Sequence, residues 1–213
     1  MNRAAVLMSA MVLAACTDPG ETEVPQPQMP IGPISALQVG DLLSPDAEGK
    51  DGNLFVTAEP ERCSGVARES EPPFLKASEA VADDGGHWVT AGSGDTKVYV
   101  EEMVAVYRAD FDPRAALAAA RGTVTASRGT TVTVTSARGG TYLFDVVPAA
   151  QADPATTVLW SLRSPGWDCD NALVAMQNVA VEITGCGERG GFDIAAAAEE
   201  AVERITTLAN TNA

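Results

Sequence analysis

Between Cys169 and Cys186 the sequence has the pattern of a β-hairpin, which constrains the fold of this chain more than any other segment does. Apolar residues alternate with their neighbours on both sides of Gln177-Asn178: Ala172, Val174, Met176, Val179, Val181 and Ile183. This alternation around a two-residue turn predicts two antiparallel strands. Their register places Cys169 opposite Cys186 in a non-hydrogen-bonded pair, where side chains come closest. We therefore predict a Cys169–Cys186 disulfide, which stabilises the fold by roughly 3 kcal/mol.

The same register separates the two faces of this hairpin. The alternating residues make one face wholly apolar, and we expect that face to be part of the core. The disulfide lies on the opposite face, together with Asn171, Glu182 and Thr184.

The N-terminus has the features of a lipoprotein signal peptide. Arg3 precedes an apolar run over residues 4–15, and small residues lead directly to Cys16. The run is shorter than the about 20 apolar residues that cross a bilayer. We expect residues 1–15 to be removed and Cys16 to carry acyl chains, so that the protein is lipid-anchored on the extracytoplasmic face of the cell membrane. The alternative is an ordinary secretory signal with an incidental cysteine.

Residues 16–33 form a proline-rich segment that cannot build a core. It contains Pro19, Pro25, Pro27, Pro30 and Pro33. Such a tether, at about 3.1 Å per residue, reaches on the order of 50 Å from the lipid when stretched. The remaining residues, 34–213, are enough for a single domain with one core.

The net charge of −15 limits the partners of this chain. An acidic surface argues against nucleic acid and against polybasic attachment to anionic lipid, so the acyl chains would anchor the protein. The segment between Asp112 and Asp145 is an exception, because it has no acidic residue and contains Arg114, Arg121, Arg128 and Arg138. These arginines are either scattered and solvated or form a rim that contacts an anion, such as a lipid phosphate or a wall polymer.

The predicted strands cluster in the second half of the chain, with helices around them. The patterns predict strands at 54–58, 98–107, 130–135, 142–147 and 157–162, in addition to the hairpin, and helices at 74–82, 114–121 and 192–208. Asp112 is suited to cap the second helix, with Pro113 in its first turn, and Gly122 is expected to end it. We predict an α+β fold with a mainly antiparallel sheet packed with helices.

The sequence contains no recognisable catalytic or metal-binding motif. His87 is the single histidine, and we expect it to lie in a loop. There is no G-x-S-x-G motif, phosphate loop or kinase signature, and the cysteine spacings do not suit zinc. We predict no enzymatic activity, no metal and no cofactor. An envelope hydrolase would require His87 in a pocket beside a serine and an aspartate. Trp160 and Trp167 flank the loop before Cys169 and either pack in the core or line a cleft.

Several segments together carry a family resemblance. They are Cys63-Ser64-Gly65, the strand-to-helix unit at 104–119, Gly166-Trp167-Asp168-Cys169, Asn178-Val179-Ala180-Val181, Gly185-Cys186-Gly187 and the closing amphipathic helix. In this order, behind a lipobox and a proline-rich linker, they resemble the mycobacterial lipoproteins that are similar to the extracellular sensor domain of the serine/threonine kinase PknH. The resemblance covers roughly 42–208. It implies a single α+β domain with a cleft, no catalytic residues and an unidentified ligand.

The resemblance also implies two disulfides. Cys169 and Cys186 match the second, and Cys63 matches one half of the first. The other half would fall near 126–129, where Ser127 takes the place of a cysteine. We therefore expect Cys63 to be a free thiol in the monomer, either buried and unreactive, exposed and reactive, or paired with another molecule.

Two functions from different classes fit the sequence. One is a surface-anchored, non-enzymatic, sensor-like module that binds a small-molecule, lipid or wall-polymer ligand in a cleft. The other is an accessory lipoprotein that binds another protein of the cell envelope. Any signal from the first would need a partner, because the sequence has no second apolar span.

Overall fold

The computed structural model describes residues 32–49, 55–148 and 153–212. The predicted signal peptide, Cys16 and nearly all of the tether lie outside these residues. Within these three ranges, no helix combines the length and the hydrophobicity needed to span a bilayer.

Within the described residues, eight strands form one antiparallel sheet in the order β1-β4-β5-β6-β7-β8-β3-β2. They are β1 (Phe55–Glu59), β2 (Ala80–Ala91), β3 (Lys97–Tyr107), β4 (Thr131–Ser136), β5 (Thr141–Pro148), β6 (Thr157–Ser164), β7 (Trp167–Met176) and β8 (Val179–Gly187). The helices are α1 (Pro73–Lys76), α2 (Pro113–Ser127) and α3 (Ile194–Thr211), and 3-10 turns occupy Ala36–Leu42 and Glu61–Cys63. The α+β prediction is confirmed.

The β7–β8 hairpin has the register that the sequence predicts. Met176 pairs with Val179 next to the turn, and Cys169 pairs with Cys186 at the far end. The Asn178 side chain connects the turn to two other segments. It accepts from the Ile34 N–H and donates to the carbonyls of Ile34 and Tyr107. The hairpin turn therefore holds both the start of the domain and the end of β3.

Both faces of the central strands are buried. The alternating apolar face packs under α3, and Val174 and Val181 share a buried cluster with Ile205 of that helix. The opposite face packs under α2, and Leu173 and Ala180 share a second buried cluster with Leu117 of that helix. Two buried polar residues on that second face bond each other: Thr184 donates to Asn171 Oδ1 across the hairpin at 2.9 Å.

Helix α2 begins as predicted and ends later. Asp112 accepts from the N–H groups of Arg114 and Ala115, and Pro113 occupies the first turn. The predicted end at Gly122 is wrong, because the helix continues to Ser127. A glycine inside a helix costs about 1 kcal/mol, and the burial of Val124 one half-turn further on outweighs it.

The predicted helix at 74–82 is wrong beyond Lys76. Residues 80–91 instead form β2, an edge strand that pairs with β3 along its length. Aspartate and glycine in the middle of this segment disfavour a strand, so pairing with the buried β3 determines its conformation. His87 consequently lies in a strand and not in a loop.

Candidate functional site

A cleft of about 500 Å³ opens beside the predicted disulfide. Its walls come from β2, β3, the first residue of β7 and the turn between β4 and β5. Although β4 and β2 lie near opposite edges of the sheet, the sheet curls enough for Arg138, just after β4, and His87 on β2 to line the same cavity.

Two aromatic side chains form the apolar floor of this cleft. Tyr99 on β3 and Trp167 on β7 are stacked, with ring centroids 6.1 Å apart and an interplanar angle of 27°. Tyr99 remains 45% exposed. Such an offset pair presents more aromatic surface to the cavity than either ring alone.

The disulfide lies directly next to this aromatic pair. Cys186 pairs with both Tyr99 and Cys169 in the sheet register. Both cysteines are fully buried, with their Cα atoms 4.1 Å apart. The predicted Cys169–Cys186 bridge is thus present, and it ties β7 to β8 at the point where the cleft begins.

The two tryptophans flanking the loop before Cys169 have different roles. Trp160 is fully buried and donates from Nε1 to the Val66 carbonyl at 2.6 Å. Trp167 is only half-buried and lines the cleft. The sequence left both alternatives open for each residue.

Charged groups of both signs border the aromatic floor. Glu101 and His87 are direct partners in the β2–β3 register, and Glu101 is only 5% exposed. Arg138 is exposed on the β4–β5 turn. The cleft therefore offers acceptors and donors around an apolar surface.

This cleft does not assemble the hydrolase triad that was considered from the sequence. It contains His87 and Ser136, but Ser136 Oγ accepts the Gly140 N–H in the turn at 3.0 Å. None of the described residues lining it is an aspartate. A neighbouring cavity brings His87 and Asp46 together, and no serine is among its described lining residues.

The four arginines of the proposed anion-contacting rim do not converge. Arg114 and Arg128 are exposed at opposite ends of α2, about 20 Å apart at 1.5 Å per residue. Arg121 donates to the Pro154 and Thr157 carbonyls. Of the four, only Arg138 borders the cleft. The four residues therefore do not form one rim.

Cys63 is a free cysteine and is fully buried. The turn that carries it packs against α2, the helix that ends at Ser127. Ser127 is also fully buried, and its hydroxyl has no hydrogen-bond partner among the described residues. Of the three states considered for Cys63, the buried thiol agrees with this packing.

A buried carboxylate connects the sheet to two flanking elements. Glu102 on β3 is fully buried, forms an ion pair with Arg204 on α3 and accepts the Ser44 N–H. Burial raises the pKa of Glu102 above its ordinary value, although Arg204 and the Ser44 hydrogen bond act in the opposite direction. No group of three or more metal-ligating side chains occurs among the described residues.

Known proteins resemble this chain in sequence and in fold. A family model described as the PknH-like extracellular domain matches residues 37–206. The crystal structure of the extracellular domain of PknH from Mycobacterium tuberculosis matches with a TM-score of 0.61 and 22% identity, covering 85% of this chain and 99% of that one. No curated protein sequence matches. The resemblance read from the C-terminal motifs is confirmed.

Proposed function

Because the chain belongs to the PknH-like extracellular domain family, we propose that it is a non-enzymatic, sensor-like domain that binds a ligand in the cleft at Tyr99 and Trp167. The family places it outside the cytoplasm. The observation that carries the proposal is the stacked aromatic pair in a cleft, with Tyr99 exposed, Trp167 partly buried and charged groups on the border. Ligand pockets combine an apolar surface with a few polar groups in this way.

Lipid anchoring at Cys16 completes the proposal. The acyl chains would hold the domain at the cell membrane, and the tether would separate it from the headgroups. A partner protein in the envelope would have to carry any signal further. If the cleft holds no ligand, an accessory lipoprotein that binds another envelope protein is the function that remains.

Native mass spectrometry of the full chain, isolated in detergent from the cells that produce it, tests the cleft. We expect a reproducible added mass on the wild type that Val89→Arg removes, because Val89 is on the cleft wall and a long cation there fills the cavity. Val81→Arg is the matched control: Val81 lies on the same strand, is 46% exposed against 51% for Val89, and does not line the cleft.

Three results would separate the candidate functions. Loss of the added mass in Val89→Arg alone supports binding in the cleft. An added mass that persists in both variants would mean that the ligand binds outside the cleft. A clean apo mass in every wild-type preparation contradicts the binding module and favours the accessory protein, whose partner crosslinking would then identify.

A further inference from the structure

The cleft lies far from the point where the tether joins the domain, and this position bears on whether the ligand comes from the membrane or from outside it. The chain enters the domain near Ile34, which the Asn178 side chain binds at the hairpin turn. Tyr107, at the same end of β3, donates its N–H to the Asn178 carbonyl. Tyr99 lies eight residues away along β3, about 27 Å at 3.4 Å per residue. The cleft is therefore at the end of the central strands opposite to the tether.

The charges around the cleft argue against a strongly ionic ligand. The chain has a net charge of −15, and Glu101 borders the cavity, so an anionic ligand meets repulsion. Arg138 stands beside the aromatic floor and is always charged, so it disfavours a cation there. Neutral ligands with many hydrogen-bonding groups avoid both penalties, because Glu101 and His87 accept or donate on one side and Arg138 donates on the other.

The aromatic floor specifies the shape of such a ligand. An aromatic ring carries a negative face, and one face of a pyranose sugar presents C–H groups with a small positive charge. The sugar's hydroxyl groups surround that face and point outward, where they meet donors and acceptors. In the Tyr99–Trp167 stack, Tyr99 remains 45% exposed and offers aromatic surface for a ring of this kind.

We infer that this cleft binds a neutral saccharide unit of an extracellular glycan, with the ring packed on Tyr99 and Trp167 and its hydroxyls hydrogen-bonded to Glu101, His87 and Arg138. The inference rests on the proposed function, because it names the ligand class of the same cleft. A membrane lipid headgroup is the competing source of hydroxyl groups. The location of the cleft, at the far end of the strands from the tether, favours the glycan.

A glycan array tests the inference with the full chain in detergent. The probes are neutral oligosaccharides of glucose, mannose, galactose and N-acetylglucosamine, uronate-containing oligosaccharides, and vesicles of phosphatidylglycerol. We expect binding to at least one neutral oligosaccharide, weakened roughly tenfold or more by Trp167→Ala and by Tyr99→Ala. Tyr142→Ala is the matched control, because Tyr142 is 39% exposed, stacks on Phe144 and lies outside the cleft. It should change binding less than twofold.

The outcomes distinguish this inference from the proposed function. Neutral-sugar binding that Tyr99→Ala and Trp167→Ala leave intact, or binding only to uronates or vesicles, overturns the saccharide assignment. An added mass that Val89→Arg removes but whose fragments contain no sugar also overturns it, while the binding module stands. If no oligosaccharide binds and the wild type carries no added mass, both proposals fall. Far-ultraviolet circular dichroism of each variant verifies that it is folded.

Discussion

Ser127 lies where the resemblance to the PknH-like domains implies the second half of a disulfide with Cys63. Its hydroxyl is buried without a hydrogen-bond partner in the described structure, which costs free energy. Cys63, fully buried on a turn that packs against the same helix, is the free thiol. The packing of this turn against α2 is the observation from which a bridge between positions 63 and 127 can be tested.

We predict that Ser127→Cys forms a disulfide with Cys63. Closing a loop of this length stabilises a protein by about 4 kcal/mol in the chain-entropy model. In a Cys16→Ser background, which removes the fourth cysteine, thiol labelling in denaturant without reductant should modify one cysteine in the otherwise unchanged protein and none in the variant, and the variant should melt at a higher temperature. Two labelled thiols in the variant would show that the side chains cannot meet. In the native wild type, labelling of Cys63 should be slow because it is buried.

Glu102 makes stability depend on pH. Burial raises the pKa of Glu102 in the folded state above its ordinary value, with Arg204 opposing that shift. A raised folded-state pKa means that the protonated form contributes stability at low pH, and that this contribution is lost as the pH rises from the unfolded-state pKa through the folded-state pKa. We therefore predict that Glu102→Gln reduces the fall in the free energy of unfolding with rising pH, measured by urea denaturation.

The control for this prediction is Glu203→Gln. Glu203 lies on α3 next to Arg204 and is exposed, so the substitution changes the net charge equally without touching the buried pair. Its pH dependence should parallel that of the wild type. Identical slopes in Glu102→Gln and Glu203→Gln would mean that overall charge repulsion, and not the buried carboxylate, causes the effect.

Single residues of the cleft were harder to predict than the cysteines. The cysteine pair follows from a local register, which two strands and a short turn determine. Tyr99 belongs to a strand rich in valine, where an exposed aromatic and a core aromatic look alike in sequence. Arg138 was predicted as a contact residue, but its proximity to Tyr99 and Trp167 depends on the curl of the whole sheet.

At the level of elements, local patterns predicted those that are stabilised locally. The β7–β8 hairpin, the Asp112 cap and the stripe of α3 were each visible in the sequence, because each depends on neighbours in the chain. β2 was missed because Asp83-Asp84-Gly85-Gly86 has poor strand propensity and its conformation comes from pairing with β3. Likewise, α2 continues past Gly122 because its far end is buried.

The continuation of α2 gives a test of helix propensity. We predict that Gly122→Ala stabilises the protein by about 0.5–1 kcal/mol in urea denaturation. A β-carbon at Gly122 meets no atom within 4 Å, so only the backbone entropy and propensity change. Gly139→Ala is the contrasting variant, because Gly139 has equally open surroundings but a φ of +80° in the β4–β5 turn. It should destabilise, and a gain there would contradict the conformational argument.

At the scale of the whole molecule, the sheet is buried on both faces by helices while one end of the curled sheet stays open. This arrangement explains why the hairpin's second face, which carries the disulfide, contains buried Asn171, Glu182 and Thr184. The arrangement of predicted strands and helices indicated the fold class, but the cleft requires strands from near opposite edges of the sheet to approach each other. Such long-range curvature leaves no local signal in the sequence.

The orientation of the whole molecule depends on Cys16. If acyl chains on Cys16 anchor the protein, Cys16→Ser should release it from the membrane fraction into the medium or the soluble envelope fraction, because the substitution removes the residue that would carry those chains. Fractionation followed by immunoblotting measures this, and Thr17→Ser is the control that should remain membrane-bound.

Sugar binding by the released protein should be unchanged, since the cleft lies about 27 Å along β3 from the end of the strand nearest the tether. Release that also abolishes binding would mean that the membrane itself contributes to the site.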